Sequence, residues 1–370
     1  ISLKNRICHI SSVHPRFDSR IFRKECVSLV SHGYDVFFIV ADGIENEKCE
    51  GVQIINVNPS IYKFSRIKRI LKIPELIEAR IEQLQPDLIH FHDPELIPLG
   101  LRLRRKGFLV VADFHEDIPL QILTKPYLNF FLKKIASATF QLYQRYTCRK
   151  LSAVVSATPK IHQTLIKYNP RNVVVKNFPI IGKFKKVVKH NNKWISYIGG
   201  INTIRGFYEI IEAAKTSNTS LKLAGVFHEQ HLLEAINTSE FSANVEFLGY
   251  INSTEVEKLL SKSFAGLVTL HPTLNFLDSL PIKLFEYMSA GIPVIASNFP
   301  LWKNIIEGNN CGICVDPTNS SQIAEAMTFL KENPEEAKIM GDNGRKAVLE
   351  KYNWENEEKK LIELYNTILS

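Results

Sequence analysis

The sequence predicts an α/β protein made of two doubly wound, Rossmann-like domains. Two observations predict this. Short apolar runs alternate with longer helical stretches over roughly the first half, and after a polar, Lys-rich interval the same alternation starts again. Apolar strands separated by helices imply parallel sheets covered on both faces. At 370 residues, with 45% apolar and 23% charged residues, the chain is long enough for two cores of ordinary size.

In the first half, Arg6–Ile10 reads as a short strand, Ile21–Ser31 as a helix and Asp35–Ala41 as a buried strand. A polar insertion follows, then a strand at Val52–Val57 and a long helix from about Phe64 to Leu84. Asp87–His92, Phe108–Phe114 and Ala153–Ala157 are further strands with helices between them. The second half supplies strands at Trp194–Gly199, Leu221–Gly225, Val245–Leu248, Ala265–Leu270, Pro293–Ala296 and Gly312–Val315. The interval from Asn177 to Lys193 has no clear period and reads as the linker. The expected domains are residues 1–180 and 190–353, with a last helix over 354–370. Open parallel sheets bind ligands beyond the carboxyl ends of their strands, so the loops after strands are where chemistry is expected.

Charge is unevenly divided. Residues 1–185 hold 29 Lys+Arg against 16 Asp+Glu, and the remainder holds 17 against 22. A basic first half suggests an anionic partner. Tyr62–Lys72 and Phe130–Lys150 mix that charge with aromatic and aliphatic residues, as basic amphipathic helices on an anionic membrane surface do; solvated helix faces are the plainer alternative. No run of eighteen apolar residues is present to span a bilayer, and no secretory signal is visible, so a cytoplasmic setting is expected. The six cysteines are scattered, and Cys311-Gly-Ile-Cys314 lacks a second ligand pair, so reduced structural thiols and no metal are expected.

Asp278-Ser-Leu-Pro-Ile-Lys-Leu-Phe-Glu286 is the most informative stretch. Ser279 reads as an N-cap and Pro281 as the first turn of a helix that Gly291 and Pro293 stop. A helix N-terminus suits an anion, so Ile282, Lys283 and Leu284 become a seat for phosphate, with Lys283 and Glu286 on one face. Two carboxylates, a cation and an anion seat describe a site for a sugar joined to phosphate. Gly199-Gly-Ile-Asn-Thr-Ile-Arg205-Gly206 adds a strand-to-helix glycine loop, whose glycines admit a phosphate and whose Arg205 can bind its oxygens.

The 278–286 stretch resembles the E-x7-E signature of retaining GT-B glycosyltransferases, in particular glycosyltransferase family four. The resemblance implies a GT-B fold, in which two Rossmann-like domains face each other across a cleft. It puts the donor sugar's hydroxyls on Asp278 and the ribose on Glu286. The first position is Asp rather than Glu, which shortens its reach by ~1.5 Å. The family loop usually reads Gly-Arg-x4-Lys-Gly; here Gly200 stands for the Arg and Arg205 for the Lys, so Lys283 is expected to supply part of the charge. Tyr250 and Ile251 resemble the turn that borders the base. His115, ending the strand before Glu116, resembles a His kept near the donor sugar. In the first half, Asp18 and Arg20 follow the first strand where an acceptor is met; the plainer reading makes Asp18 a helix cap and Arg20 its solvated side.

The resemblance thus implies a retaining, metal-independent transferase with Asp278, Arg205 and His115 as catalytic residues and no protein nucleophile. Its partners are a nucleotide-diphosphate sugar and a glycan or lipid-linked acceptor, at the inner face of the cell membrane in surface polysaccharide or glycolipid assembly. Three rivals use parts of the same pattern. A GT-B sugar-nucleotide epimerase would need no acceptor, and a non-catalytic sensor would bind donor without transfer. A metal-dependent hydrolase would rest on His90-Phe-His92-Asp93, whose two histidines share a strand face but have no further ligand source visible in sequence. A nucleic-acid binder is disfavoured, because no aromatic stacking motif accompanies the basic residues.

Overall fold

A computed structural model describes residues 4–58, 66–124, 129–184, 194–236 and 244–370. The chain divides into two compact units, Ile1–Asn177 with Glu355–Ser370, and Phe178–Trp354. The first contains β1 (Arg6–Ile10), β2 (Asp35–Val40), β3 (Glu47–Cys49), β4 (Val52–Asn56), β5 (Leu88–Phe91), β6 (Leu109–Phe114), β7 (Ala153–Ser156) and β8 (Asn172–Val174). They form one sheet in the order β3-β4-β2-β1-β5-β6-β7-β8. All pairs are parallel except β3 with β4. The strand order reverses between β1 and β5, the kind of point where open sheets bind ligands.

The second unit carries β9 (Trp194–Ile198), β10 (Leu221–Ala224), β11 (Val245–Gly249), β12 (Ser263–Val268), β13 (Val294–Ser297) and β14 (Gly312–Val315). Their order is β11-β10-β9-β12-β13-β14, all parallel, with the reversal between β9 and β12. Central strands read as near-continuous apolar runs because both faces are covered, as Ala265, Leu267 and Val268 of β12 illustrate.

Several expectations change. The polar insertion before β4 contains β3, an antiparallel edge strand, and β8 was not anticipated. The expected linker is in part core: Phe178 and Phe184 are buried in the second unit, Phe178 edge-on to Phe285. Residues 185–193 of that interval, and Tyr62 to Ser65 of the first basic stretch, lie outside the described residues. The helix after Asp278 runs from Ile282 to Ala290, with Pro281 rather than Ser279 in the extended N-cap conformation. The Ser279 hydroxyl instead donates to the Phe276 carbonyl, 2.9 Å away, and the Ser279 carbonyl accepts from the Trp302 indole at 2.7 Å. No described helix is long and apolar enough to cross a membrane.

Candidate functional site

The second unit gathers its polar groups at the carboxyl end of β9. Gly199, at φ +124°, turns the chain out of the strand in a conformation that favours glycine. Gly200 leaves room for two side chains. A Cβ there would lie 2.4 Å from His228 Nε2 and 2.7 Å from Arg205 Nη1, so two side chains converge on the space that a side chain at 200 would take. Gly200 therefore replaces the family's arginine at a point that Arg205 and His228 already fill. Arg205 donates to the Gly200 carbonyl at 3.1 Å, and the Tyr197 hydroxyl donates to the same oxygen at 2.7 Å. His228, after β10, was missed from sequence; its only signal is its place beyond a strand end.

Lys283 sits in the first turn of Ile282–Ala290. Its ammonium nitrogen lies 3.7 Å from the centre of the Tyr197 ring, is buried, and has no hydrogen-bond partner. Burial, then repulsion from Arg205, holds it well below the usual lysine range. The backbone N–H groups of Ile282 and Lys283 belong to the first turn, where no intrahelical acceptor exists. Leu284 departs from the expected seat: its N–H donates to the Pro281 carbonyl at 3.1 Å and its side chain is buried. Glu286 lies one turn on, and its Oε1 pairs with Lys183 Nζ at 2.6 Å. Lys183 was overlooked as part of the linker, and Phe184 beside it is the anchor that holds it there.

The remaining residues expected at the donor are more dispersed. Asp278 is exposed on the loop between Leu277 and Pro281 that Trp302 pins from below. Tyr250 is 81% exposed after β11, the edge strand, with Ile251 half-buried beside it; β11 stands two strands from β9.

The first unit holds a buried network at its own reversal point. His9 of β1 is in register with His90 of β5, and His92 follows two residues on. A π-helical turn, Ile21–Cys26, carries Glu25 towards them. Arg20 is only 3% exposed and is fully engaged. It donates to Asp113 from Nε and Nη2, at 2.9 and 3.0 Å, and to the Val175 carbonyl from Nη1 at 2.9 Å. Arg20 is therefore neither an acceptor contact nor a solvated helix residue; it is a framework charge, because the carboxylate it matches is buried at the end of β6. Asp18 caps the turn, its Oδ1 accepting from the N–H groups of Arg20 and Ile21.

His115 is half-buried, with Nε2 2.7 Å from Asp113 Oδ2. Burial alone would raise Asp113, but Arg20 and His115 hold it well below the carboxylate range. Burial pushes Glu25 the other way, well above it, with Asp113 adding to the rise. Burial lowers His9 and His90, with His92 adding to it, and takes His92 down to about 4, so all three imidazoles are neutral. His14, which sequence reading did not single out, pairs with Asp93 at 2.8 Å; that bond outweighs burial and raises His14.

Two parallel doubly wound units, the second with a phosphate-suited glycine loop and a cationic helix start, define the GT-B class of glycosyltransferases. Sequence comparison places the chain within it. The family profile described as Glycosyltransferase Family 4 matches residues 20–178, and that described as Glycosyl transferases group 1 matches residues 181–347. The chain belongs to this family-four, group 1 type and is a glycosyltransferase. It is 23% identical over 310 residues to the O-antigen chain mannosyltransferase C of Escherichia coli, covering 78% of each chain. Among solved structures it resembles sucrose-phosphate synthase of Thermosynechococcus elongatus, with a TM-score of 0.80, 16% identity and 99% of each chain covered. It also resembles HepE of Anabaena in complex with UDP and glucose, with a TM-score of 0.70, 13% identity, and 98% and 100% of the two chains covered.

Proposed function

We propose that this glycosyltransferase is a retaining, metal-independent enzyme. It moves a sugar from a nucleotide-diphosphate donor bound by the second unit to the hydroxyl of a glycan or lipid-linked acceptor, in surface polysaccharide or glycolipid assembly. The observation that carries the reading is Lys283, a buried cationic side chain with no hydrogen-bond partner, beside Arg205 at a helix N-terminus. Such an arrangement is costly unless an anion completes it. In this reading the diphosphate lies against the N–H groups of Ile282 and Lys283, Arg205 and Gly199–Gly200, with His228 alongside. The ribose meets Glu286, which exchanges part of its bond to Lys183, and the sugar's hydroxyls meet Asp278. Tyr250 and Ile251 border the base, and Asp18 remains the acceptor-side charge.

The reaction breaks the bond between the anomeric carbon and the diphosphate oxygen. The acceptor oxygen bonds to the same face of the sugar, and its proton passes to the departing phosphate. Arg205 and Lys283 act where negative charge grows on the leaving group. The E. coli relative is an O-antigen mannosyltransferase and the Anabaena neighbour holds UDP, which supports a nucleotide-sugar donor and a polysaccharide product.

Binding at the inner membrane surface rests on the helix Phe130–Lys150. Its first turn exposes Phe130 at 64% and Phe131 at 75%, with Lys133 and Lys134 next to them. Flotation with anionic vesicles should recruit the protein, and Phe130→Ser with Phe131→Ser should abolish it; no recruitment of the wild type removes this part. The donor reading is tested by thermal shift with UDP-, GDP-, ADP- and CMP-sugars, with and without chelator. One series should stabilise the protein regardless of chelator, and NMR of the product should show the donor's anomeric configuration. Stabilisation by none of them, or an inverted product, defeats it.

A further inference from the structure

His90 and His92 share a strand face, but the sequence offers them no companions. The fold supplies two. His9 comes from the neighbouring strand and Glu25 from the π-helical turn, and all four side chains are fully or almost fully buried. His9 Nδ1, His90 Nδ1 and His92 Nε2 lie 3.7, 3.8 and 3.8 Å from Glu25 Oε2, and His9 Nδ1 lies 2.9 Å from His92 Nε2. These four atoms all fall within 4.8 Å of one another. We propose that they form a structural site for a divalent transition ion of the zinc type, bound by three imidazoles and one carboxylate.

The histidines are hydrogen-bonded, His9 to His92 and His90 to Tyr365, and Glu25 is the group left over. A buried carboxylate should be hydrogen-bonded, yet neither Glu25 oxygen has a partner. Arg20 Nε lies 3.1 Å from Oε1 but donates to Asp113, which leaves Oε2 facing three ring nitrogens beyond hydrogen-bond range. Zinc–nitrogen bonds of about 2.0–2.1 Å in a tetrahedron put ligand atoms roughly 3.3–3.4 Å apart. To admit the ion, the Glu25 contacts must close by about half an ångström, the His9–His92 pair must open by a similar amount, and pairs as wide as 4.8 Å must close further.

The surroundings set the tautomers. His92 Nδ1 is 3.3 Å from Asp113 Oδ2 and donates to it, which turns the Nε2 lone pair inwards, the carboxylate–histidine–metal arrangement. His9 Nε2 lies 3.2 Å from the Tyr365 hydroxyl, so a shift of its proton onto that nitrogen frees Nδ1 for an ion while keeping a hydrogen bond. His90 Nδ1 would exchange its 2.6 Å contact with the same hydroxyl for the ion. Tyr365 belongs to the C-terminal helix, so the ion would join β1, β5 and that helix within the first unit. It takes no part in donor chemistry, which keeps this inference independent of the proposed function.

The full chain, prepared without metal-affinity steps, should carry about one equivalent of zinc by plasma mass spectrometry. After denaturation in chelator, refolding with Co2+ should give the visible absorption of tetrahedral cobalt, displaced by Zn2+. Glu25→Gln and His92→Ala should lose both signals. Should those variants fail to fold, the cobalt titration of the refolded wild type decides. The wild type retaining neither ion overturns the proposal, and so does a folded His92→Ala that keeps its zinc.

Discussion

Arg20 and Arg205 each follow the first strand of a parallel sheet, and both stand where such sheets bind ligands. Their surroundings differ. Arg20 donates to Asp113 through two nitrogens and to the Val175 carbonyl, with Glu25 beside it, so its hydrogen-bonding capacity is spent inside the first unit. Arg205 donates to the Gly200 carbonyl, and Lys283 nearby is a second basic group. The first arginine neutralises buried carboxylates; the second adds to an uncompensated positive charge. Charge matched within the protein serves the framework, whereas charge left unmatched beside a helix N-terminus waits for an anion.

Substitutions should separate the two regions. Arg20→Ala strands Asp113 as a buried carboxylate and should cost about 3–5 kcal/mol in urea unfolding. A loss below about 1 kcal/mol would show that Arg20 is not the framework charge described. Arg205→Ala should do the reverse, leaving the unfolding midpoint nearly unchanged while lowering kcat/KM on the order of 10²-fold. A variant of Arg205 that unfolds readily but turns over normally would erase the contrast. Glu286→Gln should have the smallest effect, weakening ribonucleotides about tenfold, or ~1.4 kcal/mol. The same variant should bind 2′,3′-dideoxynucleotides as the wild type does; equal weakening of both would remove the ribose assignment.

Much of the fold could be read from sequence because the strands are apolar runs at the period that buried parallel sheets require. Twelve expected strands coincide with observed ones to within two residues at each end, and β3 and β8 escaped because three-residue edge strands leave no such run. The glycine loop after β9 and the 278–286 stretch were visible because their residues are contiguous. Arg20 was misread because its partner, Asp113, is far away in sequence and only the sheet brings them together. Lys183 hid in a segment whose aromatic anchors looked like a linker, and His228 converges on Gly200 only through the placement of β10 beside β9. Local chemistry is legible in sequence; pairings made across strands are not.

The central claim is that Lys283 is held for an anion. Burial and Arg205 push it well below the lysine range, so its charged form is disfavoured in the free protein, and a diphosphate beside it must raise it again. Binding should therefore take up protons, and affinity should fall as pH rises from the lowered value of the free protein to the raised value in the complex, levelling off above it. Calorimetric titration of the preferred nucleoside diphosphate in two buffers of different ionisation enthalpy measures this directly. The wild type should take up protons on binding, whereas Lys283→Met should take up none, bind at least tenfold more weakly and unfold no more readily. Equal affinity and equal proton uptake in the two proteins would contradict the account.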